Sequence, residues 1–121
     1  MSDDVLSNYG GNLAAAVLAA NTKFLGLHLS PPTVTGLLAS EVAGGAYVRQ
    51  ALSMSVPASK TIVSVNAQIF PGMPACTVLW LAGWDAIAAG HMIWAKKLVP
   101  GIAVLESGQL LTTAGDIAVS L

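Results

Sequence analysis

Apolar residues recur with a helical period once in this chain and with the two-residue period of strands almost everywhere else. The helical segment is NLAAAVLAAN at residues 12–21, where Asn12 stands ready to cap the start, alanines favour helix, and Leu13 and Val17 share one face. Asn21 is expected to end it in the left-handed conformation. So short a helix is marginal in water, so it must dock on the rest of the chain.

After Lys23 the pattern breaks into short apolar segments separated by Gly, Pro and Ser clusters. Leu25, Leu27 and Leu29 alternate with Gly26 and His28, and Ser30, Pro31 and Pro32 close that segment. Leu52, Met54 and Val56 alternate with small residues up to Pro57. Val63, Val65, Ala67 and Ile69 alternate with Ser64, Asn66, Gln68 and Phe70, with Pro71, Gly72 and Pro74 beyond. These read as three half-buried strands. In CTVLWLAGW, residues 76–84, both faces are apolar, which predicts a central strand covered on each side. A strand over residues 91–99 should return beside it after the 85–90 loop. Pro100 and Gly101 are expected to turn, with short strands following at 102–105, around Leu110 and Leu111, and through Ile117, Val119 and Leu121. The predicted fold is mainly β: an antiparallel β-sandwich of seven or eight short strands with one short N-terminal α-helix. It is read as a single domain over 1–121, with an arm at 1–12, the helix at 12–21 and strands over 24–121.

Charge changes the picture. Only eleven of 121 residues are charged, 55% are hydrophobic, and the net charge is −1. A monomer of this size exposes about 6,000 Å², which eleven charges cover thinly. Soluble domains ordinarily carry about a quarter charged residues, so much of this surface is expected to be covered by copies of the chain or by another protein. A membrane helix does not account for the excess: the longest apolar run is interrupted at Asp85, far short of the roughly 20 residues a span needs. Without a basic flank the N-terminal run does not read as a signal peptide, and synthesis in the cytoplasm is expected. The single Cys76 excludes an internal disulfide and reads as a small buried hydrophobe.

Candidate chemistry is sparse. His28, His91, Cys76 and six scattered carboxylates form no HExxH, GxSxG or phosphate-binding glycine motif, so no enzyme, cofactor or metal site is expected. Gly10–Gly11 and Gly44–Gly45 read as bends. His28 falls on the polar side of its strand and is expected at solvent or an interface; His91 reads as a hydrogen-bonding strand terminus, and Asp85 as a turn cap. Of the tryptophans, Trp80 is assigned to the core and Trp84, near a strand end, to either core or interface. Five basic residues leave no footprint for nucleic acid. A carbohydrate-binding module with exposed coplanar tryptophans stays open as another class.

The order of segments resembles a known family. Glu41, Val42, Gly44, Gly45, Tyr47, Arg49 and Gln50 fit an E-V-x-G-G-x-Y-x-R-Q stretch. Phe70–Pro71, Asp85–Ala86, and Gly108, Gly115 and Asp116 follow in the same order. This is similar to small virion structural proteins of tailed bacteriophages, common in phages of actinobacteria, labelled tail fibre-like or minor structural proteins. The resemblance implies a non-enzymatic virion protein. Composition favours a capsid decoration, or cement, protein, forming trimers and binding the major capsid protein on the outer shell. The alternative is a tail fibre or tail-tip subunit that packs on other tail proteins and contacts the host surface. Neither nucleic acid nor membrane is expected as a partner. Tyr47 and Arg49 on one face, the apolar loop with Pro31, Pro32, Leu37 and Leu38, Trp84, and the N-terminal arm are the expected interface residues.

Overall fold

The computed structural model describes residues 7–32 and 40–120. Among these, α1 (Asn8–Asn21) is followed by eight strands: β1 (Phe24–His28), β2 (Gln50–Ala51), β3 (Thr61–Val63), β4 (Gln68–Met73), β5 (Cys76–Trp84), β6 (Met92–Val104), β7 (Gly108–Thr112) and β8 (Ala118–Ser120). Every pairing is antiparallel. The strands form a four-stranded sheet in the order β2-β1-β5-β6 and two ribbons, β3-β8 and β4-β7. The mainly β prediction with one N-terminal helix is borne out. The arrangement is sandwich-like: Leu25, Leu27, Val78, Leu81 and Trp94 of the sheet share a buried cluster with Phe70, Met73 and Leu110 of the β4-β7 ribbon.

The expected doubly apolar strand is β5, bonded to β1 on one side and β6 on the other, but it is covered on both faces only over residues 81–84, since Thr77 and Leu79 are exposed. Two tight contacts shape its neighbourhood. A Cβ on Gly83 would stand 2.4 Å from the Trp94 ring, and one on Gly26 would stand 2.8 Å from Trp84 Nε1 and 2.9 Å from Glu41 Oε2. Each glycine makes room for an indole on its own face of the sheet.

Several boundaries differ from the sequence reading. The helix begins one turn earlier: Ser7, not Asn12, is the N-cap, its hydroxyl accepting from Gly10 N at 3.0 Å. Gly10 and Gly11, read as a bend, are helical, and the Lys60 stem occupies the space a Gly11 Cβ would fill. Asn12 instead accepts from Lys60 N at 2.8 Å. At the other end Asn21 is not left-handed. Thr22 caps the helix in extended conformation, donating to Leu18 O, while the Asn21 amide reaches back to Val17 O.

The single strand predicted over 63–70 is divided by a bend at Asn66 between β3 and β4, which belong to different ribbons, and the side that is buried is the opposite of the predicted one. Ile62, Ser64, Gln68 and Phe70 are buried, while Val65 and Ile69 are about half exposed, at 52% and 53%. The apolar anchors Ile62 and Phe70 set that parity, and the polar residues between them are satisfied where they lie. Ser64 Oγ accepts from Ile117 N, and Gln68 accepts from the Thr112 hydroxyl while donating to Asn66 O. Pro71 and Gly72, placed beyond this strand, belong to β4 at a register shift. The strand predicted at 52–56 does not form: β2 ends at Ala51, only a single bridge from Met54 to Ser64 remains, and Val56 is exposed.

Pro100 and Gly101 do not turn the chain; they lie inside β6 where its register against β5 shifts between Val78 and Trp80. A proline lacks the donor that a regular ladder position needs, so it is accommodated at an irregularity. Gly101 lets the Leu79 side chain approach to 2.6 Å of where a Cβ would be. Leu37, Leu38, residues 1–6 of the N-terminal arm and Leu121 lie outside the described residues.

Candidate functional site

The second face of the four-stranded sheet is covered by a polar lid. Residues 40–42 run along β1 beyond its short pairing with β2: Leu29 N donates to Ser40 O and Val42 N to Leu27 O, closing an edge that would otherwise be open. Gly44 and Gly45 then turn the chain with φ of 105° and 55°. A Gly45 Cβ would fall 2.5 Å from Gly72 O, so this turn excludes side chains by space as well as by dihedral. The bend returns Tyr47 and Arg49 to Glu41.

The result is a buried ion pair with a forked geometry. Arg49 Nε donates to Glu41 Oε2 at 2.8 Å and an Nη to Oε1 at 2.9 Å. The other Nη donates to Ala86 O at 2.9 Å and Ala89 O at 2.7 Å, so one guanidinium holds the 41–49 segment and the 85–90 loop together. It stacks on Trp84 at 3.8 Å from the ring centroid, and His28 stacks on the same indole at 5.9 Å. The Tyr47 hydroxyl donates to Glu41 Oε2 and accepts from Leu27 N, with its ring stacked on Phe70. Burial and that carboxylate hold the Tyr47 phenol far above its ordinary range, so it stays a donor.

Arg49 and Trp84 are 4% and 1% exposed and His28 is fully buried. The expected surface placement of Arg49 is therefore corrected: its charge is spent inside, on Glu41 and loop carbonyls. The solvent-facing reading of His28 is corrected too, since Trp84 and the lid cover that side of β1. Its Nδ1 lies 2.7 Å from Ser40 Oγ, and burial holds its pKa below the ordinary imidazole value. Tyr47 is half-buried. Trp80, assigned to the core, is only partly buried, while Trp84 and Trp94 are the buried pair; Trp94 donates to Thr22 Oγ1 at 2.9 Å. A stacking platform of exposed tryptophans for sugars is thus not built from these three. Pro31 is exposed and Pro32 half-buried past the end of β1, outside the network.

Asp85 and His91 match their readings. Asp85 closes the 85–90 loop by accepting from His91 N at 2.7 Å, with the His91 ring 3.0 Å away, and these bonds pull its pKa below the usual carboxylate value. Cys76 is only partly buried, and burial raises its thiol pKa. Among the described residues no three His, Cys, Asp or Glu side chains converge as a metal site, and no helix is long and apolar enough to cross a membrane. Glu41 and His28 are the members that sequence reasoning missed. Glu41 meets Arg49, eight residues on, only through the turn at Gly44 and Gly45.

Over a shallow cleft of about 320 Å³ beside this network, Val48 and Ile87 stand 54% and 58% exposed. The lid thus carries an apolar rim on its outer side. A comparison with curated proteins found no match. Residues 4–120 match the family described as Podophage GP4 fiber I protein gp80. The chain belongs to this family. Membership in the fiber I gp80 family bears out the resemblance to tail fibre-like phage structural proteins read from the order of segments between Glu41 and Asp116. It makes the chain a phage structural protein of the fibre class, associated with the virion.

Proposed function

We propose that this chain is a non-enzymatic structural subunit of a phage tail fibre, packing against copies of itself and other tail proteins. The match to a fibre family over nearly the whole chain carries the reading. It favours the tail over the capsid-decoration placement that composition had favoured. The surface supports a subunit role in either place. Among the described residues, apolar side chains stand exposed on α1, on the Ile69–Leu111 cross-strand pair, at Val48 and Ile87, and at Val99 and Leu105, which are 83% and 81% exposed. The buried charges of Glu41 and Arg49 leave even fewer ionised groups to solubilise that surface. Immunogold labelling of intact virions with antibody to the purified chain tests the assignment. Label along the tail appendages is expected, and label confined to the capsid shell would replace the fibre reading with the decoration one.

A further inference from the structure

The helix is apolar on both sides and buried on one. Gly11 and Ala15 pack inward, whereas Tyr9, Leu13 and Val17 are 76%, 55% and 61% exposed. These three recur at i, i+4 and i+8 and so form one continuous ridge. No residue of Asn8–Asn21 is charged. A surface helix ordinarily keeps polar residues on the side away from the core, whereas this side carries an apolar ridge, and among the described residues nothing covers it.

Small residues flank the middle of the ridge: Gly10 and Ala14 on one side, in a row that Leu18 closes, and Ala16 and Ala20 on the other, in a row that begins with Asn8 and Asn12. Next to the second flank, Met54, Val56 and Pro57 line a groove of about 200 Å³ with the alanines. One surface thus presents both a ridge and the furrows that accept one. We propose that α1 is a self-association surface, on which the Tyr9–Leu13–Val17 ridge of one copy seats in the alanine furrow of a second copy.

Two identical i±4n ridges interdigitate at a crossing angle near −50°, and when the same surface supplies ridge and furrow the pair closes with two-fold symmetry. The absence of charge removes like-charge repulsion between the facing copies, and it offers nothing to a basic or acidic partner. The chain has one helix among its described residues, so a second helix of matching relief must come from outside it. Covering the ridge and the neighbouring groove buries on the order of 500 Å² per copy, at the low end for specific interfaces. The association is therefore weak for two isolated chains and becomes firm where many copies are held together.

The inference goes beyond the fibre assignment and is read on the purified chain, so it survives if the virion labelling points to the capsid. Sedimentation velocity from micromolar to sub-millimolar concentration should show the mass rising from that of one 12.3 kDa copy toward two. Leu13→Glu with Val17→Glu should weaken association by about a hundredfold or more, because it sets carboxylates against each other in the contact. Circular dichroism of the dilute protein should be unchanged. Ile69→Thr with Leu111→Thr, on the β4-β7 ribbon, should leave association intact. In a Cys76→Ser background, Val17→Cys should cross-link copies on oxidation while Glu106→Cys should not. A wild type that stays at one copy throughout would overturn the proposal, as would a double-glutamate variant that associates as the wild type does.

Discussion

Arg49 donates to Glu41, Ala86 and Ala89 at once, so its loss strands a carboxylate whose side chain is only 13% exposed. Removing one partner of a buried pair is costly because the other charge stays behind unpaired. Arg49→Ala should lower unfolding free energy by about 3 kcal/mol or more, read from urea denaturation. Glu41→Gln with Arg49→Met should cost less than Arg49→Ala, since no buried charge remains, and the reverse order would show that the fork itself is stabilising. His28 gives a different signature. Its burial favours the neutral ring, with Glu41 opposing and Arg49 reinforcing, so the folded pKa lies below the ordinary imidazole value of about 6.5. The unfolded chain then binds the proton more readily. Stability is complete above that value and declines as pH falls through it. His28→Gln should flatten this decline between neutral pH and about pH 5.5. Asp85 adds a separate loss in the acidic range, because its depressed pKa makes its contribution vanish as pH falls below the usual carboxylate value.

At the scale of elements, α1 is the clearest place to compare sequence with structure. Its existence was legible from alanine content and the Leu13 to Val17 spacing. Its start was not, because two adjacent glycines argue for a bend and only the Lys60 stem packed over Gly11 overrides them. Ser7→Ala should cost about 1 kcal/mol, and far-UV circular dichroism during urea titration should show the loss. The 63–70 segment teaches the same lesson for strands. Counting apolar residues chose the Val65 and Ile69 side, whereas Ile62 and Phe70 mark the true inner face and carry Ser64 and Gln68 in with them. A strand's parity is set by its best-buried anchors, and the hydrogen bonds that satisfy the polar residues between them come from β7 and the segment before β8, remote in sequence. β5 was legible because both its faces are apolar. The Glu41 and Arg49 pairing was hidden by the same distance in reverse, since the partners lie close in sequence but meet only through a glycine turn.

Across the whole molecule, the few charges are partly used up internally, and large apolar side chains stand outside. The Ile69–Leu111 pair lies opposite a face that is already buried, so its exposed side chains contribute little to folding. Replacing both with threonine should change thermal stability by no more than about 0.5 kcal/mol. The same change should reduce precipitation at high concentration, measured by light scattering, if exposed apolar surface drives it.

The Arg49 fork has one more consequence, for the chain's tolerance of insertion. Ala86 and Ala89 are both held by their carbonyls, so the exposed residues 87–88 form a tip on two anchored stems. Lengthening a loop costs little entropy once its ends are fixed. A foreign peptide grafted between Ile87 and Ala88 should therefore hang outward with the melting temperature nearly unchanged, making this tip a ready display position.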